Sequence, residues 1–376
     1  MTGIFCKVLN PINFNNNTTQ KTNNRKLIYT SALLTALVSF SVTAETTKLE
    51  TVIASPYQAN GIAVAKDGRV FLGLPRWVQK NSFSVGLVKD GKVIPYPGNS
   101  WNDWSKKKNP EEHFININAL RIEPELPDSL WAIDCTEGTG GSKLIKMDIT
   151  KNTIDRVYHF DSAIVPVPAG CLNDVRIVDN NAFLTESGTG AIIVLDLKTN
   201  KARRILSASQ KTKAVAGKVA VIDGAAEKTP DGKIPVVNAD GIEISPDKQW
   251  LYFCMPLGGD LWRVRIDDLL NPELSEKEID QRVENMGMII PVGGILMLQD
   301  GSMLLSDVEN HAIKLRHPDG SLTEVVSSPL LDWPDAMAIG PDGKIYTGAA
   351  QANKTPSNNG GKDATRAPFR ILRFSM

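Results

Sequence analysis

Six times along the chain, a short apolar run begins at Asn, Asp or Gly, turns on a polar signal and returns as a second apolar run. The unit is seen first from Asn60 to Leu74. It recurs from Asn118–Ile122 into Leu130–Asp134, from Asn173–Ile177 into Ala182–Thr185, and from Asp240–Asp247 into Trp250–Phe253. The last two copies run from Gly294–Gly301 into Met303–Ser306 and from Asp335–Gly343 into Ile345–Thr347. Most units add a third alternating strand, such as Ile192–Leu197 or Leu261–Ile266, and several add a fourth, such as Thr153–Tyr158 or Leu322–Val326. A period of roughly 35–60 residues with about four strands per unit is the signature of small sheets repeated around an axis. The pattern predicts an all-β chain folded as a six-bladed β-propeller. Helical patterning is weak, with single turns expected at Asp267–Leu270 and Ser275–Asp280.

The sixth unit is one strand short. Its third strand would be Arg370–Phe374, while Lys48–Ile53 belongs to no unit. Pairing the two closes the ring and removes an open sheet edge, a site of aggregation. One domain is therefore expected over residues 45–376. The Lys-, Ala- and Gly-rich segment Ser207–Pro235 reads as a hairpin inserted before the fourth unit, either a lid or an inert decoration.

Charge narrows the partners. The 376 residues carry 42 Lys and Arg against 42 Asp and Glu, so no bulk field favours nucleic acid or an anionic membrane. A small-molecule partner is expected, and nucleic acid is not. Residues 1–44 differ from the rest. The Asn-rich stretch Asn13–Asn24 is followed by Arg25 and Lys26, the apolar run Leu27–Val42 and a small-x-small exit at Val42-Thr43-Ala44. This describes a secretory signal with a polar N-terminal extension, cut after Ala44. The apolar run is short for a spanning helix and is diluted by Tyr29, Thr30, Ser31 and Thr35. The mature chain is expected to be secreted or periplasmic, with no stable membrane insertion. Cleavage removes Cys6 and leaves Cys135, Cys171 and Cys254, which cannot all pair. A Cys135–Cys171 disulfide and buried free thiols both remain open.

In a propeller, the first strand of each blade lines the channel, so the starts of these strands collect at one mouth. That geometry selects an inner ring of Asn60, Asn118, Asn173 with Asp174, Asp240, Gly293 and Asp335. An outer ring, at the ends of the second strands, comprises Arg76 and Trp77, Asp134 with Glu137, Glu186, Met255 and Asp307. Convergent polar side chains make a concave ligand site, and carboxylates with amide oxygens suit a hard cation such as Ca²⁺ or Mg²⁺. The competing reading is that Asn and Asp at such turns cap nearby backbone. Arg76 and Trp77 form either a stacking wall for a ring-shaped ligand or a structural bridge between blades. The surroundings of Glu186-Ser187-Gly188 lack a nucleophile elbow, and no phosphate-binding or dinucleotide-binding glycine pattern occurs. His113, His159, His311 and His317 show no paired spacing.

Several phrases resemble the Yellow and major royal jelly protein family, including its bacterial branch. Pro75-Arg-Trp77 followed by Pro95-Tyr-Pro97, Leu130-Trp-Ala-Ile-Asp134 and Leu172-Asn-Asp174 look like its motifs. So do Asp240-Gly-Ile with Ser245-Pro246, Leu251-Tyr-Phe253 with Pro256-Leu257, and Trp333-Pro-Asp335 with Phe369-Arg-Ile371. The matches are collinear from about Gly61 to Phe374. The resemblance implies a six-bladed propeller, in a family that includes dopachrome-converting enzymes, amine-binding salivary proteins and nutritive proteins. A wider similarity to gluconolactonase and senescence-marker propellers implies lactone hydrolysis with a divalent metal. The Asn and Asp ligands of those relatives fall at positions similar to Asn173 and Asp240. They place Glu at the first blade, where this chain has Asn60. The expected activity is that of a lactone hydrolase or a dopachrome-type tautomerase, and the alternative is a non-enzymatic binder of a small amine or sugar acid. Asp240 or Asp174 is the expected general base, and Asn173 and Asp240 are the expected ligands of one divalent cation. Asn60, Asn118, Arg76, Trp77, Glu186 and Asp335 are expected to contact the substrate.

Overall fold

The computed structural model describes residues 48–78, 81–98, 100–136 and 140–376. The expected signal segment, with Cys6, and Glu137 lie outside the described residues. Six antiparallel sheets of four strands each follow the six sequence units in order. The innermost strands of blades 1 to 6 are Ile62–Val64, Ile117–Arg121, Leu172–Val178, Gly241–Ile244, Val292–Met297 and Pro334–Ile339. Each touches the innermost strand of the next blade, and blade 6 returns to blade 1. The sheets therefore stand around a central axis as a propeller.

Each sheet is covered on both faces by its neighbours, so strands such as Ala191–Asp196 are apolar almost throughout rather than alternating. One apolar cluster fills each seam. Between blades 3 and 4, for example, Phe183 and Val194 meet Ile242, Phe253 and Val264, all buried. The outer hairpin of blade 1 turns at Asp90 and Gly91, whose φ of 49° and 71° are what a two-residue hairpin turn needs. The two expected helical turns are real and slightly longer, Ile266–Leu270 and Glu276–Arg282. Ser275 and Glu278 start the second with reciprocal side-chain-to-backbone bonds.

Blade 6 draws on both ends of the chain. Its strands are Pro334–Ile339, Ile345–Ala349, Phe369–Phe374 and, outermost, Glu50–Ser55. The last two pair antiparallel from Glu50 opposite Arg373 to Ser55 opposite Phe369. Glu50 also takes ion pairs from Lys344 and Arg373, at 2.9 and 2.8 Å.

Two insertions rise over one mouth of the channel. The first follows blade 3 and carries the short hairpin Val221–Ile222/Ala225–Ala226. The second, residues 350–368, interrupts blade 6 between its second and third strands. Ala220, Ile222, Leu257, Val308, Trp333, Ala350 and Ala352 pack together there, with Trp77 against them.

Candidate functional site

Most blades shape the start of the innermost strand in the same way. In blades 2, 3, 5 and 6 the pairing register slips there, between Ile117 and Ala119, Leu172 and Val175, Val292 and Ile295, and Pro334 and Met337. A bulge leaves its extra residue out of the ladder and re-aims the side chain. Asn118, Asn173, Gly293 and Asp335 sit in these slips, and with Asn60 and Asp240 they line one cavity of about 220 Å³ at the channel mouth. The inner ring converges as the repeat requires.

Its members are joined by hydrogen bonds. Asn118 donates to the Asn173 carbonyl at 3.3 Å, and Asn173 donates to Asp240 Oδ2 at 2.7 Å. The Asn60 amide, with its nitrogen turned toward Asp335, donates to Oδ2 at 2.9 Å. The Trp333 indole donates to the same carboxyl oxygen at 3.0 Å. Gly293 contributes no side chain, and it could not: a Cβ there would stand 2.1 Å from the Pro334 carbonyl oxygen.

The two carboxyls are shifted upward. Burial raises Asp240 well above the usual carboxylate range, the charges of Asp335 and Asp174 add to this, and the Asn173 bond opposes it. Burial raises Asp335 to about 7, against the Trp333 donor and with the Asp174 charge adding. A third carboxyl, Glu227 of the first insertion, also lines the cavity and is raised to about 8 by burial. The remaining walls include Trp77, Trp333, Pro256, Leu257 and the Cys135–Cys171 disulfide. Cys254 is a buried free thiol. Among the described residues lining the cavity there is no Lys, Arg or His.

Three expected site residues lie elsewhere. Asp174 points into the narrower channel below and pairs with Arg176 at 2.8 Å, which leaves Asn173 alone at the mouth. Arg76 turns into the protein and donates to the carbonyls of Ile115, at 2.8 Å, and Asn81, so it forms no wall with Trp77. Glu186 is fully buried and saturated. It accepts from the backbone N–H groups of Cys171, Gly188 and Thr189 and pairs with Arg204 at 2.7 Å. Burial opposes its charged form, yet these donors and the Thr189 hydroxyl hold its pKa below the usual value.

Glu186 has counterparts around the ring. Asp134 pairs with Lys143 at 2.7 Å and accepts from the N–H groups of Ile115 and Asn116. Asp307 pairs with Lys314 at 2.6 Å and accepts from Glu309 and Asn310. In blades 2, 3 and 5, the carboxylate ending the second strand thus bolts a loop to its own blade.

Asn173 and Asp240, the expected cation ligands, do meet, but through the amide nitrogen rather than its oxygen. Among the described residues no group of three His, Cys, Asp or Glu side chains is placed to hold a metal ion. Hard cations take six or more oxygens. Asn118, Asn173, Asp240 and Asp335 are the oxygen-bearing side chains of the cavity that would face one, with water completing its shell.

The hairpin of the first insertion is fastened by charge. His311 faces Asp223 through Nε2 at 2.9 Å and the Leu331 carbonyl through Nδ1 at 3.1 Å. Only the imidazolium can donate to both. Burial opposes that form, but Asp223, the Leu331 carbonyl and nearby Asp332 outweigh it and raise the His311 pKa. A raised histidine pKa stabilises below the unfolded value of about 6.5 and is lost as pH rises through the folded one. Hydrogen-exchange protection at residues 222–226 should therefore fall about 2–5-fold between pH 6 and 8.5, the worth of a part-exposed ion pair. His311→Asn should abolish that dependence; an unchanged slope in this variant contradicts the assignment.

A family model described as major royal jelly protein matches residues 121–376. Among solved structures, a gluconolactonase from Xanthomonas campestris is similar at TM-score 0.52 and 11% identity, over 88% of this chain and 89% of that chain. A putative oxidoreductase (glucose dehydrogenase) from Thermus thermophilus is similar at TM-score 0.53 and 13% identity, over 87% and 99%. A virginiamycin B lyase from Staphylococcus aureus is similar at TM-score 0.51 and 13% identity, over 88% and 99%. At these identities the likeness is one of fold. No curated protein matches the sequence.

Proposed function

The chain belongs to the major royal jelly protein family, and from that footing we propose that it is an exported acid–base enzyme. In this reading it tautomerises a small, neutral or cationic ring, such as the aminochrome formed when a catecholamine quinone cyclises. The observation that carries the reading is a single cavity holding Asp240 and Asp335, both titrating upward, with no Lys, Arg or His in its described lining. Such a lining disfavours a substrate carboxylate and leaves a proton acceptor poised near neutral pH.

Asp335 acts as the base. Its carboxylate takes a proton from a ring carbon adjacent to the conjugated system, while a proton is delivered to a quinone oxygen. Asp240, held protonated by burial, stands in the same cavity as the donor. Each turnover moves one proton off carbon and one onto oxygen and leaves Asp335 protonated and Asp240 ionised; exchange of both protons with solvent restores the pair, and no oxidant, reductant or water is consumed. Trp77 and Trp333 offer faces against which a flat ring can stack. Lactone hydrolysis would use the same base to activate water and is the second reaction to assay.

The acidic lining, free of Lys, Arg and His among its described residues, also favours a second reading, a non-enzymatic binder of a small amine, in which an ammonium group meets Asp240 and Asp335 and draws them into the ionised form. One divalent cation, Ca²⁺ or Mg²⁺, would take the same Asp240 carboxyl together with the Asn173 amide oxygen. The Cys135–Cys171 bridge supports an oxidising compartment, secreted or periplasmic.

The test is turnover of dopamine-derived aminochrome, of dopachrome with its extra carboxylate, and of glucono-1,5-lactone, beside calorimetry with dopamine, Ca²⁺ and Mg²⁺. We expect the neutral aminochrome to turn over with the highest kcat/KM. Dopamine binding without turnover of any substrate rejects the enzyme and selects the binder; neither turnover nor binding rejects both.

A further inference from the structure

Glu227 is a buried glutamate with a carboxyl oxygen that no described residue bonds. It follows the hairpin strand Ala225–Ala226 and is held from both sides by backbone bonds. Its own N–H donates to Ala220 at 3.1 Å, Lys228 N–H donates to the Asn358 carbonyl at 3.0 Å, and Gly360 N–H donates to Lys228 at 2.8 Å. The two insertions thus join at this residue and fix its backbone. Glu227 is only 5% exposed, lines the cavity, and leaves Oε2 sealed from solvent with no hydrogen-bond partner. Asp240 and Asp335 line the same cavity; on the surrounding elements, Lys228 follows Glu227 in the chain, Glu309 accepts from the Val221 N–H, and His311 and Lys354 are paired with Asp223 and Asp332. Among the described residues none of them bonds its carboxyl. A buried polar group without a partner is destabilising, and no described residue bonds Oε2.

We propose that Glu227 is a ligand-contacting hydrogen-bond donor, its carboxyl rotating to present the unpartnered oxygen from the two insertions that cap the mouth to an oxygen of a small dicarbonyl or dihydroxy ring whose far side rests on the inner-ring Asn and Asp residues. The proposal rests on the cavity being the ligand site. It adds a second recognition point, on an element that is not part of the propeller repeat, and it restricts the ligand to rings that carry an oxygen on the side facing the first insertion. Because burial holds the carboxyl neutral up to about pH 8, the donor is present at neutral pH and disappears above it.

The probe is isatin, a stable, neutral bicyclic ring carrying two carbonyl oxygens, titrated by calorimetry into the full chain from pH 6 to 9. For the wild type, affinity should weaken about tenfold as Glu227 ionises, since the carboxylate can no longer donate and repels a carbonyl. Glu227→Gln keeps a neutral donor and should bind as tightly as the wild type at pH 6, with that part of the pH dependence gone. Glu227→Ala should bind about 5–20-fold more weakly at pH 6, the value of one buried hydrogen bond. Melting of the ligand-free variants adds a readout with opposite signs. A partnerless carboxyl predicts that Glu227→Ala melts higher than the wild type at pH 9, whereas a purely structural glutamate predicts that it melts lower. Equal isatin affinity in wild type and Glu227→Ala overturns the role of Glu227 while leaving the cavity as the ligand site. Failure of the wild type to bind isatin, dopamine or aminochrome overturns both.

Discussion

Replacing Asp335 with asparagine should cut turnover of the neutral aminochrome by about 10²–10⁴-fold, the usual worth of a positioned base. The side chain keeps its size and can still accept from Trp333, so substrate KM should change little. The acid limb of the wild-type pH–rate profile, expected near 7 from the position of Asp335, should vanish with it. Stability should move the other way. A carboxyl whose folded pKa is raised binds its proton more tightly in the native state, so its contribution is intact below about pH 4 and is lost as pH rises toward 7. Asp335→Asn removes that loss and should melt higher than the wild type at pH 8, with little difference at pH 4. A variant that retains full turnover sinks the assignment of Asp335 as base. One that is inactive but melts lower at pH 8 shows a structural role instead.

Lys143→Met should be the most damaging single change to the fold. Lys143 and Asp134 are both fully buried and 2.7 Å apart, and the Lys143 ammonium also donates to the carbonyl of Pro110 at 2.8 Å. Removing the cation leaves a carboxylate with no counter-charge, a loss of about 3–5 kcal/mol when one partner of a buried pair is deleted. The damage should reach the site as well, because Asp134 positions the N–H groups of Ile115 and Asn116, and Asn116 lines the cavity. Chemical denaturation measures the first effect. The double variant Asp134→Asn/Lys143→Met separates lost packing from stranded charge, since it should recover most of the loss. A single variant within about 1 kcal/mol of wild type would show that water reaches the pair.

How far the residues can be read in advance depends on whether the information is local. The strand–turn–strand phrase repeats six times, so the blade count, the inner ring and the closing strand are all legible from apolar runs and Asp/Gly turns. The side on which adjacent residues fall is not. Asn173 and Asp174 are neighbours, and only the bulge after Leu172 decides that the first faces the mouth and the second faces Arg176. Glu186 looks free in the sequence because its counter-charge, Arg204, arrives 18 residues later on the blade's outermost strand. Arg76 is absorbed by carbonyls from separate loops. The cap is half visible: Ser207–Pro235 stands out by composition, but Glu227 within it does not. The Gly-, Pro- and Asn-rich stretch between Ala350 and Pro368 is itself a signal, since no blade turn needs so many residues.

The way the sixth blade is completed sets an order of events during biosynthesis. Glu50 and Arg373 are partners although 323 residues separate them. Residues 50–55 leave the ribosome early and must wait, unpaired, until almost the entire remaining chain has emerged. Pairings between distant segments are slow to form, and a waiting β-strand is a template for the wrong neighbour. A chain that travels in an extended state before folding would escape that hazard, because both ends would become available together. Assembly of this ring is thus better suited to folding after synthesis than to folding during it.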